Sequence, residues 1–459
     1  MVAVRDEIDE LLNTALDASD AEQTEVLYLA GDEALTRFAT NQIHQNVREH
    51  DATVQVRVID SQRVGVAGTN RLDAAGLRDV VDRAAAIARR SAPNEKAGDL
   101  PESDSQPEPD PELGFVAATA EADPEARGAG ARAVIAAGQA EGLQVAGAFA
   151  TGVVTLAVAN SRGLRGRSRT TRANLITVMM DGFASGAASG YANASSADVR
   201  EIDPEAVGRE AARKGADMRG AEALEPGEYE VVLEEYAVAG LLEYLSFIGF
   251  SGLAVEEGRS FMELGSRVMG ENVSIWDDGQ DPTGLPAPID FEGVTRQRVE
   301  LIKQGVANAI VHDAATAGRA GTKSTGHALP APNVYGPMAL NLFMAPGAAT
   351  RESMLAGIDH GVWVTRFHYI NPLHPKKAIL TGMTKDGTFL IENGKLTRPV
   401  LNFRFTQSIP EAFSDVRGIG AGTKVLAGEF FGGYRVPALH LGGFNFTGAT
   451  AAEGAEAVT

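Results

Sequence analysis

The sequence contains no cysteine. This absence excludes disulfide bonds, thiolate metal ligands and a cysteine nucleophile. Histidine is also scarce, with 8 residues in the whole chain and none between His50 and His312. The two side chains that most often bind structural or catalytic zinc are therefore missing from a long central part of the sequence.

Basic residues are few compared with acidic ones. Lys and Arg number 41 and Asp and Glu number 61, which gives a formal net charge of −20. Nucleic-acid binding needs clustered Lys and Arg to neutralise phosphates, so this charge argues against a general nucleic-acid binder. The acidity is more simply a feature that keeps the protein in solution.

Long apolar runs are absent as well. No run reaches the roughly 20 residues that a membrane-spanning helix needs. The first 18 residues form an amphipathic pattern that lacks the apolar core and cleavage site of a signal peptide. We therefore expect a cytoplasmic protein that does not bind membranes.

Composition and length predict two or three globular domains. The chain has 459 residues, of which 44% are hydrophobic, enough to bury large cores. An acidic, proline-rich segment at residues 92–114 has almost nothing to bury and predicts a linker. It follows a first α+β unit, residues 1–91, and precedes a middle α+β unit, residues 115–224, and a strand-rich C-terminal domain, residues 225–459. The predicted fold class is α+β.

One helix, predicted over Leu233–Ile248, dominates the C-terminal domain. Its apolar residues recur at three- and four-residue steps, and further apolar residues fill much of the opposite side. A helix that is apolar nearly all round belongs inside its domain, so we expect it to be buried. Strands dominate after it, and the dipeptides Asp386-Gly387 and Asn393-Gly394 predict hairpin turns because both positions tolerate positive φ.

Several short segments resemble one known family in sequence and in order along the chain. They are Thr36–Asn46, Asn160–Gly163, Glu257–Phe261, Asp277–Gly279, Lys323–Ala328 and Phe389–Gly394. Together they resemble the TldD/PmbA (TldE) family, the modulators of DNA gyrase that are grouped with metallopeptidases. The resemblance implies two smaller α+β pieces followed by a strand-rich C-terminal domain that contains the buried helix.

The resemblance also indicates which branch of the family the chain is similar to. The catalytic TldD branch carries HExxxH on the buried helix and a late cysteine ligand, so that two histidines bind zinc and the Glu activates its water. In this chain Glu243 and Ile248 replace the histidines and Tyr244 replaces the Glu. The resemblance therefore implies the PmbA/TldE branch, with no cofactor in this chain and zinc in a TldD-like partner.

Five other residues of the C-terminal domain, four of them histidines, are candidates for a binding site. His360, His368 and His374 lie within fifteen residues of one another, but their spacing fits no common metal-ligand pattern. With Arg366, we interpret them as candidates for contacting a peptide in a pocket, and His327, in a Thr-Gly-His turn, as a candidate for facing a tunnel. Ordinary structural roles stay open for all of them, and no catalytic or metal-binding residue is assigned.

The resemblance leads to one functional expectation and two alternatives. We expect a PmbA/TldE-like subunit without metal that pairs with a TldD-like protease, completes its chamber and holds a short or unfolded peptide as an added strand. One alternative is an independent hydrolase or biosynthetic enzyme that uses a non-zinc site in the same cavity. The other is a non-catalytic structural homodimer.

Overall fold

The computed structural model describes residues 5–103, 109–182, 188–428 and 432–449. In the N-terminal half the helices and strands are α1 (Arg5–Asp17), β1 (Gln23–Ala39), β2 (Gln42–Asp60), β3 (Arg63–Thr69), α2 (Ala74–Arg90), α3 (Ala117–Ala120), α4 (Pro124–Ala140), β4 (Gln144–Asn160), β5 (Arg165–Met180), β6 (Ser189–Ser196) and α5 (Pro204–Asp217). Among the described residues, no helix combines the length and the apolar character required to cross a bilayer.

The first and middle units share one antiparallel sheet. Its strand order is β3-β2-β1-β4-β5-β6, and β1 pairs with β2 on one side and with β4 on the other. In β2 the alternate residues Val54, Val56 and Val58 are buried, as the period of a half-buried strand requires. The predicted α+β class is confirmed, and the two N-terminal units are joined edge to edge.

Three aspartates begin the helices that cover this sheet. The carboxylates of Asp73, Asp123 and Asp203 each accept a hydrogen bond from the backbone N–H three residues later, at the starts of α2, α4 and α5. Such a cap stabilises a helix by about 1 kcal/mol. In α4 and α5 a proline follows the aspartate, and its fixed φ suits the first helical position.

The acidic segment at residues 92–114 runs along this sheet. Leu100 is buried, the N–H of Arg169 donates to the carbonyl of Pro111 at 2.7 Å, and the N–H of Thr171 donates to the carbonyl of Gly114 at 3.0 Å. Both described ends of the predicted linker are therefore held against the fold. Residues 104–108 of that prediction lie outside the described residues.

The C-terminal half contains more strands than helices. Its elements are β7 (Gly227–Leu233), α6 (Glu235–Ile248), α7 (Gly252–Glu256), β8 (Ile275–Asp277), β9 (Val299–Lys303), β10 (Val306–Ala307), α8 (Ala314–Ala320), β11 (Asn341–Met344), α9 (Arg351–Ala356), β12 (His360–His374), β13 (Ile379–Glu392), β14 (Lys395–Pro399), β15 (Phe403–Ser408), α10 (Ile409–Ala412), β16 (Val416–Ala427) and β17 (Gly433–Ala449).

Five of these strands close into a ring. β7 pairs with β12 on one side and with β17 on the other, and β13 and β15 complete the circuit between them. Phenylalanines from three of the strands pack against each other, with 4.5 Å between the ring centroids of Phe367 and Phe405 and 5.3 Å between those of Phe405 and Phe444. They belong to the same buried core as α6.

The buried helix is confirmed. Ten residues of α6 are buried, as its all-round apolar pattern predicts. It begins two residues later than the predicted start because Leu233 ends β7 and Glu234 is the residue before the first turn.

One of the two predicted hairpins is wrong. Asp386 and Gly387 lie inside β13, where Thr388 pairs with Val364 and Lys385 pairs with Arg366, so these residues form a bulge in a continuous strand. The φ angles of 56° at Asp386 and 134° at Gly387 explain the error, since a bulge and a tight turn both use positive φ. Asn393-Gly394 does form the predicted turn between β13 and β14.

Candidate functional site

A cavity of about 370 Å³ lies over one face of α6. That volume is within the range of about 300–1,000 Å³ that is typical of small-ligand sites. The polar residues of its wall come from β6, α6, β12 and β17 and include Tyr191, Asn193, Tyr236, Glu243, Tyr244, Arg366, His368, Asn371 and Tyr434. The cavity thus brings together four residues that the sequence singled out: Glu243, Tyr244, Arg366 and His368.

Glu243 and Tyr434 form a hydrogen-bonded pair in the cavity wall. Their exposed fractions are 7% and 3%. Burial raises the pKa of Tyr434 well above its ordinary value, and the Glu243 carboxylate, which hydrogen-bonds to the tyrosine, raises it further. Tyr434 therefore keeps its proton at neutral pH, and its hydroxyl donates a hydrogen bond to the Glu243 carboxylate.

Arg366 is held rigidly at the edge of the cavity. Its Nε donates to Oδ2 of Asp386 at 2.6 Å, and a second guanidinium nitrogen contacts the same oxygen. The guanidinium also lies 4.4 Å from the ring centroid of Tyr191, an arrangement that attracts a cation to the ring face. Ser189 donates to the other oxygen of Asp386 at 2.6 Å, so the middle unit helps to fix the pair.

The bulge in β13 explains how Asp386 reaches Arg366. A Cβ added at Gly387 would lie 2.3 Å from Oγ1 of Thr365, which is far inside van der Waals contact. Glycine therefore allows both the positive φ and the close approach of β12.

A buried network of charges lies behind the cavity and joins α5 to α6. Nζ of Lys214 donates to Glu210 at 2.7 Å and to Glu234 at 2.5 Å. Nζ of Lys424 donates to Glu210 at 2.8 Å and to the hydroxyl of Tyr236 at 2.9 Å. Two lysines and two glutamates thus balance each other between the middle unit and the C-terminal domain.

The pKa shifts keep this network charged. Burial by itself raises the pKa of Glu210, but Lys214 and Lys424 outweigh it and lower the pKa to about 2. Burial lowers the pKa of Lys214, and the nearby carboxylates of Glu234 and Glu210 reverse that effect, so its pKa is raised. Burial and Glu210 raise the pKa of Tyr236 well above its ordinary value, so the tyrosine stays neutral.

The structure does not place His327 in the cavity. The side chain is fully buried, with Nε2 2.8 Å from Oδ1 of Asp277 and Nδ1 2.9 Å from Oγ1 of Thr325. The other oxygen of Asp277 accepts the N–H of Asn341 at 2.6 Å. One ring nitrogen thus contacts the end of β8 and the other contacts Thr325 in the same Thr-Gly-His turn.

Three further candidates also lie away from the cavity wall. His360 is exposed and packs on the ring of Tyr229, with 5.6 Å between centroids. His374 is exposed and its Nδ1 accepts the N–H of Lys377 at 3.3 Å. Ile248 is buried in the core. Of the three clustered histidines only His368 lines the cavity, because bulges interrupt the alternation of β12.

The residues at this cavity do not fit a catalytic zinc ion. Such a site normally has three protein ligands, whereas the described lining residues offer one carboxylate, Glu243, and one imidazole, His368. In the described part of the chain, no three His, Asp or Glu side chains are grouped so that they could hold a metal ion. No step through a bound metal is therefore assigned to this chain.

Sequence reasoning singled out Tyr244 but missed the other tyrosines of the cavity, Tyr191, Tyr236, Tyr369 and Tyr434. Tyr191 comes from the middle unit and Tyr434 from the last strand, and the two meet α6 only through long-range strand pairing. A single tyrosine in a strand has no local signal that distinguishes a cavity residue from a core residue. Tyr236 lies in the first turn of α6. Its place on the same helix as Glu243 and Tyr244 was the one sequence signal that could have indicated a cavity residue.

Comparison with known proteins supports the family resemblance found in the sequence. Three family models match in order: PmbA/TldA metallopeptidase domain 1 at residues 24–88, the central domain at residues 105–219 and the C-terminal domain at residues 226–448. The metalloprotease PmbA of Escherichia coli O157:H7 is 23% identical over 96% of this chain and 97% of its own length. An uncharacterized protein of Methanocaldococcus jannaschii, MJ0231, is 35% identical, but over 21% of this chain and 24% of that protein.

A solved structure has the same fold. The crystal structure of TldE from Thermococcus kodakarensis has a TM-score of 0.84 with 20% identity, and the match covers 96% of this chain and all of that one. The family models together span most of the sequence, which confirms the resemblance found in the sequence. The chain belongs to the PmbA/TldD family of metallopeptidase-related proteins.

Proposed function

We propose that this chain is the PmbA/TldE-like subunit of a TldD/TldE-type protease complex in the cytoplasm. In this complex it binds a short or unfolded peptide, and a TldD-like partner supplies the zinc and cleaves the peptide. The observation that carries the proposal is the cavity over α6, which offers one carboxylate and one imidazole where a catalytic zinc needs three ligands.

The chemistry of the cavity supports peptide binding. Its described wall contains five tyrosines and two asparagines, together with Glu243, Arg366 and His368. Tyrosine hydroxyls and asparagine amides both donate and accept hydrogen bonds, as the backbone of an extended peptide requires. Main-chain hydrogen bonds tolerate many sequences, which suits a subunit that holds varied substrates.

Reconstitution tests the proposal. Each subunit is purified alone, and cleavage of an unstructured fluorogenic peptide is measured for this chain, for a TldD-like chain carrying HExxxH, and for an equimolar mixture. We expect no turnover by this chain alone and a rate in the mixture that is at least about tenfold above that of the partner alone, equivalent to ~1.4 kcal/mol in barrier height.

Two histidines on β12 provide a matched pair of variants. His368→Ala alters the cavity wall, and we expect it to lower the rate of the mixture. His360→Ala removes an exposed imidazole from the same strand outside the cavity, and we expect no change. Equal effects of the two substitutions would argue against peptide binding in this cavity.

The alternatives predict other results. One alternative, an independent hydrolase with a non-zinc site, is motivated by the presence of Arg366 and His368 in one cavity. It would be favoured if this chain cleaved peptide without a partner and if Arg366→Gln abolished that cleavage. A chain that neither associates with a TldD-like protein nor changes its rate would favour the structural homodimer.

A further inference from the structure

We infer that a proton on Glu25 controls the contact between the N-terminal sheet and the C-terminal domain. Glu25, Arg57 and Glu292 hold this contact closed while Glu25 is protonated, and loss of the proton loosens it. The contact, here called the sheet–hairpin joint, is where a hairpin at residues 289–295 packs against the sheet. None of the three residues lines the cavity over α6.

The hairpin of the sheet–hairpin joint fits closely against the sheet. Ile289 and Thr295 pair with each other, and Ile289 is buried in one apolar cluster with leucine and valine side chains of β1 and β4. At the hairpin tip, a Cβ added at Gly166 of β5 would lie 2.3 Å from the carbonyl oxygen of Gly293. The two backbones are therefore in direct contact, and a small movement of the hairpin breaks this packing.

Two buried glutamates share one arginine at this joint. Nη2 of Arg57 on β2 lies 2.7 Å from Oε2 of Glu25 on β1 and 2.9 Å from Oε1 of Glu292 in the hairpin. The side chains of Glu25 and Glu292 are 5% and 7% exposed, and that of Arg57 is 15% exposed. With both glutamates ionised, the joint would contain one negative charge without a cation, which is costly where water is excluded.

The surrounding residues do not supply the missing cation to Glu25. In the sheet, its two neighbours across the strands are Arg57 on β2 and the uncharged Asn160 on β4. Arg162, in the turn after β4, pairs instead with Asp99 at 3.3 Å.

Cations on the C-terminal side of the joint are also bound elsewhere. Arg57 and Glu292 lie in the wall of a cleft of about 610 Å³, which Lys96 and Arg319 line as well. Both of these cations contact Glu256, at 3.7 Å and 2.9 Å. The buried Arg296 acts on Asp290, the third carboxylate of the joint, and lowers its pKa. The remaining charged residues in the wall of the cleft are the anions Glu257 and Asp313.

Glu25 is the carboxylate that holds the proton. Among the described residues Arg57 is the one donor to its side chain, whereas Glu292 also accepts the N–H of Ala314 at 3.0 Å. Burial raises the pKa of Glu25 from 4.5 to about 7; Arg57 opposes this effect and Glu292 adds to it. Burial and Glu292 also raise the pKa of Asp290, but three backbone N–H groups donate to that carboxylate and favour its ionised form.

The direction of the effect follows from where the proton is held. Once the joint opens and water reaches Glu25, its carboxyl releases the proton near pH 4.5, whereas in the closed joint it keeps the proton up to about pH 7. The closed joint is therefore favoured fully below pH 4.5, and this preference is lost as the pH rises to about 7. Loosening of the joint would widen the cleft, because Arg57 and Glu292 lie in its wall.

Hydrogen exchange of the full-length chain at pH 5, 6, 7 and 8, corrected for the intrinsic pH dependence of exchange, tests the inference. The amides of Glu292, Val294 and Ala328 donate to the Asp290 carboxylate and report opening of the joint. We expect their opening constant to rise at least about tenfold between pH 5 and pH 8, with most of the rise below pH 7, because release of one proton changes an equilibrium by up to about tenfold per pH unit.

Substitutions assign the effect to the two glutamates. Glu25→Gln keeps the size of the side chain and removes its titration, so its opening constant should change by less than about twofold over the same range. Glu49→Gln, at an exposed site on β2, is the control and should retain the full rise. Glu292→Gln leaves Arg57 to Glu25 alone and should also reduce the rise, and it serves as the test if Glu25→Gln does not fold.

Three results would overturn the inference. One is an opening constant of the unaltered chain that does not change with pH, and another is a full rise in Glu25→Gln. The third is an opening constant equal to that of buried amides in β13 at every pH, because unfolding of the whole chain would then account for the exchange. None of these results bears on the proposed function, which concerns the cavity over α6.

Discussion

Lys214 joins the middle unit to the C-terminal domain, and its removal gives the sharpest prediction about the stability of the fold. The side chain is 4% exposed, and it donates to Glu234, which is 8% exposed, at 2.5 Å. Lys214→Met keeps most of the side-chain length and removes the charge. Glu234 would keep its hydrogen bond from Nε1 of Trp363 at 2.6 Å but would lose its cation.

The expected loss follows from the burial of both partners. Breaking a buried ion pair by removing one member typically costs about 3–5 kcal/mol, because a charge is left without compensation in a low-dielectric site. Urea unfolding at neutral pH, followed by tryptophan fluorescence, measures this loss. The chain has 2 tryptophans, and one of them, Trp363, contacts the network directly.

Two further variants make the measurement decisive. Arg209→Met breaks an exposed pair with Glu205 on the same helix, in which both side chains are more than 60% exposed, and should change the free energy of unfolding by less than about 0.5 kcal/mol. Lys214→Met combined with Glu234→Gln removes both charges and should recover part of the loss. A Lys214→Met chain as stable as the Arg209→Met chain would refute the reasoning.

Three further predictions concern stability. The pKa of Glu210 is lowered from 4.5 to about 2, which corresponds to about 3 kcal/mol of stability at ~1.4 kcal/mol per pKa unit. This stability is fully present above pH 4.5 and is lost as pH falls towards 2. In Glu210→Gln the free energy of unfolding, followed by circular dichroism, should therefore depend less on pH over this range. His327→Phe should destabilise the chain by about 3–5 kcal/mol in urea by leaving Asp277 buried without its imidazole, whereas His360→Ala should stay within about 0.5 kcal/mol. Gly387→Ala should lower Tm, at a cost of about 1–3 kcal/mol for the strained backbone; an unchanged Tm would contradict the bulge geometry.

The sequence predicted those features that depend on local periodicity. The apolar residues of α6 recur on every side of the helix, and that pattern has one physical outcome, burial. Positive-φ residues were also found correctly at Asp386-Gly387, but the sequence could not distinguish a bulge from a turn. That distinction depends on whether β12 continues alongside β13, which is a tertiary contact.

The cavity was predictable only in part, for the same reason. Glu243 and Tyr244 lie on α6, whose apolar pattern is evident from the sequence, and Arg366 and His368 lie in a segment rich in histidine. Tyr434 reaches the cavity because β17 closes the strand ring. Tyr191 reaches it because β6, at the edge of the N-terminal sheet, packs against the C-terminal domain. His327 looked similar to the other candidates, because its pairing with Asp277, fifty residues earlier, leaves no local trace.

The cavity over α6 lacks, among its described lining residues, the ligand set of a catalytic zinc. The most direct test is the zinc content of the purified chain after incubation with excess zinc and desalting, measured by inductively coupled plasma mass spectrometry. Our account predicts less than about 0.1 zinc per chain, since a retained ion needs a complete set of ligands. One zinc per chain that is lost in both Glu243→Ala and His368→Ala would contradict it.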